Sequence, residues 1–182
     1  MATKTWNLDP SHSDIQFKVK HLMITTVTGT FKTFTGTVET EGDDITTAKI
    51  QFTADVHSVS TNNEQRDAHL RNGDFFDADN HPQITFTSDK LVKAAGDDYT
   101  LSGTLTMRGV SRQIALNVEF GGIITDPWGN TRSGYTVTGK INRTDFGVSF
   151  GAVSETGAVL LGHDVNITAS VQFVAQAASV AA

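Results

Sequence analysis

Six histidines are the side chains of this 182-residue chain best suited to acid–base or metal chemistry: His12, His21, His57, His69, His81 and His163. None stands in an HxH, HExxH or related spacing, so no metal site is expected. The carboxylates are just as dispersed. Asp67, Asp74 and Asp145 could converge in space for general acid–base work, but surface acids or helix caps account for them without any such role. No GxSxG elbow, P-loop or GxGxxG follows a strand and opens a helix. The absence of cysteine removes thiolate nucleophiles, zinc–thiolate sites and iron–sulfur clusters. Neither catalytic residues nor a cofactor are therefore expected. What remains is the basic cluster Arg66, His69 and Arg71. It reads either as helix-surface ion pairing, with Asp67 satisfying Arg71 at i,i+4, or as recognition of an anionic or carbonyl head group.

The elements that would carry these residues are mostly strands. Apolar residues alternate with polar ones at Ile15, Phe17 and Val19, at Ile50, Phe52, Ala54 and Val56, and at Ile84 and Phe86. The same period continues through Leu101–Met107, Ile114–Phe120, Tyr135–Ile141 and Val165–Phe173. These are half-buried antiparallel strands, one face apolar and the other wet. Between Thr28 and Glu39 the aromatic spacing changes parity from Phe31 to Phe34, which predicts a bulge near Lys32–Thr33. Gly42-Asp-Asp44, Ala95-Gly-Asp-Asp98 and Asp126-Pro-Trp-Gly-Asn130 supply turn chemistry. One short helix interrupts the pattern: Thr61-Asn-Asn-Glu64 reads as a capping box and Gly73 as the residue after its end. With only Ala68 and Leu70 apolar, it can cover an edge or a mouth but cannot form a second layer. Asn142 to Asp164, with four glycines, is the other irregular stretch and a candidate gate.

Composition agrees with an all-β chain. Threonine is the commonest residue at 26 positions, against 16 glycines and 3 prolines. The formal charge of −6 argues against nucleic acid as a partner. No segment approaches the length of a membrane-spanning helix. Met1-Ala-Thr-Lys-Thr-Trp6 has no apolar stretch followed by a cleavage site, so a cytoplasmic location is expected, or a periplasmic one if a leader has been removed. About eight strands with short connections predict a sandwich or a closed barrel. Two Trp and two Tyr cannot furnish the two aromatic belts of an outer-membrane barrel, so the apolar face should point inward. Residues 1–175 form one domain on this reading and residues 176–182 a flexible tail. A homodimer through exposed strands or the helix is left open.

Four ordered stretches resemble the YceI-like family. They are Val19-Lys-His-Leu-Met-Ile-Thr-Thr-Val-Thr-Gly-Thr-Phe-Lys-Thr-Phe-Thr-Gly36, Arg66-Asp-Ala-His-Leu-Arg-Asn-Gly-Asp-Phe-Phe-Asp77 with His81-Pro-Gln-Ile-Thr-Phe-Thr-Ser88, Leu105-Thr-Met-Arg-Gly-Val-Ser-Arg112, and Ile141-Asn-Arg-Thr-Asp-Phe-Gly147. The resemblance implies a single antiparallel eight-stranded lipocalin-like barrel with its short helix near a mouth. It also implies a polyisoprenoid ligand, such as an isoprenoid quinone or a polyprenyl phosphate, that is bound rather than used as a cofactor. Other long-chain amphiphiles, such as fatty acids or amides, are the alternative, as is an enzyme acting on such a lipid. The family has no established catalytic residues to carry over. Phe17, Val19, Phe52, Phe86, Leu105, Leu116, Val137, Ile141 and Ile167 are the expected tunnel residues. Arg66, His69 and His21 are the expected head-group contacts. Gly103 and Gly139, on the apolar faces, would either leave room for a ligand or let the sheet coil.

Overall fold

A computed structural model describes residues 2–151 and 160–176 of the chain. Its strands are β1 (Thr3–Leu8), β2 (Asp14–His21), β3 (Thr25–Phe31), β4 (Phe34–Glu41), β5 (Asp44–Asp55), β6 (Val59–Ser60), β7 (Gln83–Ala95), β8 (Asp98–Met107), β9 (Val110–Thr125), β10 (Thr131–Asn142) and β11 (Leu161–Ala175). A single α-helix among the described residues, α1 (Glu64–Arg71), lies between β6 and β7. All neighbours pair antiparallel, and β1 pairs with both β4 and β11, which closes the sheet on itself.

Eleven segments make eight barrel strands because three of those strands are broken. β1 and β2 pair successively with the same strand, β11, on either side of a single 3-10 turn at Pro10–His12. β3 and β4 pair with β2 and β1 across the break at Lys32–Thr33, where the change of aromatic parity predicted an irregularity. β5 and β6 are likewise separated by a 3-10 turn at Val56–Ser58. All three predicted turns fall between strands, at β4–β5, β7–β8 and β9–β10.

The two glycines on inward faces are not vacancies. A Cβ on Gly139 would lie 2.3 Å from Leu116 Cδ2, and one on Gly103 would lie 2.4 Å from the Thr87 carbonyl and 2.5 Å from the Phe86 ring. A neighbouring side chain lies across each glycine, so the missing Cβ lets bulky residues fold over the strand rather than leaving room for a ligand.

The helix start differs in detail from the capping box. Asn63 is the cap and accepts from the Arg66 N–H at 3.0 Å. Thr61 instead donates through its N–H and Oγ1 to buried Asp67, at 2.7 and 2.6 Å. Asp67 is therefore committed to Thr61 and does not pair with Arg71. Gly73 takes no left-handed conformation, since Asn72 ends the helix in extended backbone. Of the tail expected from residue 176 onward, only Gln176 is among the described residues, and its N–H donates to Thr5 O at 2.7 Å.

One end of the barrel carries the β4–β5, β7–β8 and β9–β10 turns. Aromatic rings close it: Trp6 is buried with its Nε1 donating to Thr40, and Tyr99, Phe120, Tyr135 and Phe173 pack in sequence at centroid separations of 5.3–6.5 Å. Arg132 fastens the same end, donating from Nε to Asp126 at 2.7 Å and from Nη1 to Asp9 at 2.9 Å. Arg132 is the largest cause holding Asp126 down at about 2, and Asp9 is also held well below the usual carboxylate range, chiefly by Ser11 and His12. The other end carries the β2–β3 and β8–β9 turns, α1 and the stretch after β10.

Candidate functional site

A cavity of about 540 Å³ runs down the barrel interior, within the size range of ligand sites. All nine expected tunnel residues line it: Phe17 and Val19 on β2, Phe52 on β5, Phe86 on β7, Leu105 on β8, Leu116 on β9, Val137 and Ile141 on β10, and Ile167 on β11. They share the interior because each occupies the inward parity of its strand, and the register brings Phe52 opposite Phe86, Phe86 opposite Leu105, and Phe17 opposite Ile167. Tyr135 and Phe173 line the cavity at the closed end, and burial pushes the Tyr135 phenol up. At the opposite end the cavity reaches the surface, where Phe150 and Leu160 both line it and remain exposed.

Among the described residues, basic side chains meet the cavity only toward that open end. Arg66, His69 and His21, the three expected head-group residues, line it, whereas Arg71 does not. Arg66 is positioned by Thr61, with Nε donating to Thr61 Oγ1 at 2.7 Å and Nη2 to Thr61 O at 2.8 Å. His69 stands edge-on to Phe75 and Phe150, each 4.9 Å away between centroids, and its Nε2 lies 2.9 Å from Asp74. Phe75 is held there from the β8–β9 turn, where Arg108 donates to the carbonyls of Gly73 and Phe75. A second aromatic group, Phe17, Phe31 and Phe76, packs at centroid separations of 5.5–6.4 Å.

Sequence reasoning missed a fourth basic residue. Arg143 is 4 % exposed and also lines the cavity. Its Nε donates to Gly162 O, Nη1 to Val148 O and Phe150 O at 2.8 Å each, and Nη2 to Leu161 O at 3.2 Å. These four carbonyls belong to both described stems of the Asn142–Asp164 stretch, so one guanidinium ties them together. The middle of that candidate gate, residues 152–159, lies outside the described residues. No carboxylate pairs with Arg143 among the described residues, and burial pushes its pKa down. A signal for it existed: residue 143 continues the inward parity of Tyr135, Val137, Gly139 and Ile141.

No aspartate or glutamate is among the described residues lining the cavity, although the chain holds 20. A guanidinium surrounded by carbonyl dipoles, with no counter-ion, favours an anionic or electron-rich group beside it. Paired carboxylates for acid–base work are missing from the described lining, and no three His, Asp or Glu converge as metal ligands would among the described residues. No helix of the described chain is long and apolar enough to cross a membrane.

The chain is 38% identical over 169 residues to a UPF0312 protein of Staphylococcus epidermidis, covering 92% of this chain and 96% of that one. The barrel is similar to the Campylobacter jejuni YCEI protein, at 34% identity and a TM-score of 0.75, covering 86% of this chain and 90% of that one. It also shares its fold, at 21% identity and a TM-score of 0.70 over 94% and 98% of the two chains, with a polyisoprenoid binding domain from Saccharophagus degradans. The YceI-like domain matches residues 6–173, nearly the whole barrel, and the chain belongs to that family.

Proposed function

We propose that this barrel binds a polyisoprenoid lipid, an isoprenoid quinone or a polyprenyl phosphate, and carries or stores it without chemically changing it. The observation that carries this reading is the polarity of the cavity. An apolar tube ends in aromatic rings on one side and in Arg66, His69, His21 and Arg143 on the other, with no carboxylate among its described lining. The prenyl tail lies along Phe17, Phe52, Phe86 and Leu116 toward Tyr135 and Phe173. The phosphate or quinone oxygens stay at the open end, where guanidinium N–H groups supply directional bonds.

Each five-carbon isoprene unit leaving water is worth about 3 kcal/mol, somewhat under the ~0.8 per methylene of a saturated chain because of its double bond. Eight units would sum to roughly 24 kcal/mol, above the ~18–21 at which affinities saturate. A bilayer solvates the same tail nearly as well, so selectivity over the membrane has to come from the head-group contacts and from fit. Titrating the delipidated barrel with prenyl alcohols of increasing length tests this. Affinity should climb with each added unit and level off once the tunnel is full. A flat series would remove the tunnel from the binding reaction. The same cations suit the carboxylate of a fatty acid, which is the second reading, and a fatty acid in the organic extract of the native protein would favour it.

A further inference from the structure

The turn joining β2 to β3 breaks a local rule. It is a tight turn closed by the Ile24 N–H donating to His21 O at 3.1 Å, and both of its central residues are left-handed, Leu22 at φ 52° and Met23 at φ 60°. Such turns favour Asn-Gly, because branched or bulky L-residues are strained at positive φ. Here two large apolar residues occupy the strained positions and point outward. Leu22 is 43 % exposed, Met23 56 % and Ile24 77 %. Among the described residues nothing requires apolar side chains at this tip, and departures of this kind concentrate at functional sites.

The turn stands beside the open end of the cavity. The Leu22 N–H donates to Leu160 O at 2.8 Å, and Leu160, with Phe150, is both exposed and part of the cavity lining. The exposed apolar side chains of the turn are thus joined through this backbone bond to the segment that carries Leu160 at the tunnel mouth. Charge adds a direction. On the wall below the turn, Lys18 pairs across β11 Asn166 with Lys140, which places two exposed lysines in one row on the outer face, and Lys20 follows on β2. The closed end is acidic: Glu41, Asp43, Asp44, Asp97, Asp98 and Asp126 occupy its turns, with Lys4 and Arg132 paired to Asp43 and Asp126, whereas the open end offsets Glu64, Asp74, Asp77 and Asp79 with Arg66, Arg71 and Arg108.

We infer that the open end docks on a bilayer surface containing anionic phospholipid, with Leu22, Met23 and Ile24 entering the interfacial layer and the Lys18–Lys140 row meeting the head groups. A hydrophobic tip with flanking lysines is the combination that binds such surfaces, and it is repelled least when the acidic end faces away. Docked in this way, the barrel presents its mouth to the membrane, so a lipid can pass into the cavity without crossing water. That last step rests on the carrier reading; the docking itself does not.

The test is flotation with vesicles of phosphatidylcholine alone and of phosphatidylcholine with phosphatidylglycerol. Replacing the tip by the relaxed pair, L22N with M23G, should leave the fold intact or raise its melting temperature. It should weaken binding to the mixed vesicles by about tenfold or more. Trp128→Ser, which removes the 82 % exposed tryptophan of the closed end, should change nothing. Equal flotation of the L22N/M23G protein and the unmodified one would overturn the proposal, as would loss of binding in W128S. Dimers of the unmodified protein that dissociate in L22N/M23G, with no flotation of either, would overturn it in favour of a second copy. Uptake of geranylgeraniol from dilute ethanol keeps the two ideas separate. Its absence in the unmodified protein would remove the carrier reading and leave the flotation result standing.

Discussion

Ala169→Phe is the perturbation that probes the tunnel most sharply. Ala169 sits on β11 between Ile15 of β2 and Val137 of β10, faces the cavity, and lies toward the closed end bounded by Tyr135 and Phe173. The added phenyl ring enters space that the unmodified protein leaves open, and it fills about the volume of one isoprene unit. A prenyl chain long enough to reach this depth must withdraw one unit into water or the mouth, losing about 3 kcal/mol of transfer free energy. That corresponds to roughly a hundredfold weaker binding. Overpacking of a filled core costs about 1–3 kcal/mol. Because this ring enters a cavity of about 540 Å³, the stability cost should stay below about 1 kcal/mol, a shift in Tm of under about 4 °C. Displacement of an environment-sensitive dye by geranylgeraniol, with thermal unfolding of the same samples, measures both quantities. Geraniol, too short to reach Ala169 from the mouth, should bind the two proteins alike. A folded A169F protein that binds geranylgeraniol as tightly as the unmodified one would refute the tunnel geometry.

Arg143→Met strands four carbonyls, two of them buried, that one guanidinium now satisfies. It should cost at least about 3 kcal/mol, or roughly 10 °C in Tm by calorimetry, while Arg143→Lys, with fewer donors in a different geometry, should recover only part of it. Gly103→Ala pushes a methyl against the Thr87 carbonyl and should destabilise by about 1–3 kcal/mol, whereas Gly73→Ala, with open space around it, should be neutral or slightly stabilising in the same denaturant titration. Asp126 is held at about 2, below its ordinary 3.8, so its contribution is present in full above about pH 4 and is lost as the pH falls toward 2. Asp9 follows the same sign, with its loss extending to still lower pH. Arg132→Met removes the main partner of Asp126 and should move the acid-unfolding midpoint to higher pH; an unchanged midpoint would show that the bridge does not contribute to acid resistance.

The tunnel was legible because it depends on period two alone. Phe17, Phe52, Phe86, Leu105 and Leu116 each sit on the apolar parity of a strand, and closing the sheet sends every such parity to one interior. The break at Lys32–Thr33 was legible for the same reason, since Phe31 and Phe34 cannot share a face in an unbroken strand. What the pattern could not supply was register. Whether Gly139 leaves space or receives a neighbour depends on Leu116 folding across it, and that contact comes from pairing β10 with β9. Arg143 was overlooked because a charge at an inward position contradicts the apolar template, although its parity was right. Phe75, Phe76 and Phe150 lie in irregular backbone where no period exists to read; the Arg108 bond that places Phe75 spans 33 residues, and the Arg143 bond that places Phe150 crosses a loop. The β2–β3 turn was hidden for a further reason: Leu22 and Met23 are not the residues that positive φ predicts.

Native mass spectrometry of the protein purified from its own host, with mass analysis of the organic extract, tests the central claim most directly. The account predicts a stoichiometric adduct whose extracted mass is that of a prenyl quinone or prenyl phosphate. A bare mass, with no uptake of either lipid when added to the delipidated barrel, would contradict it.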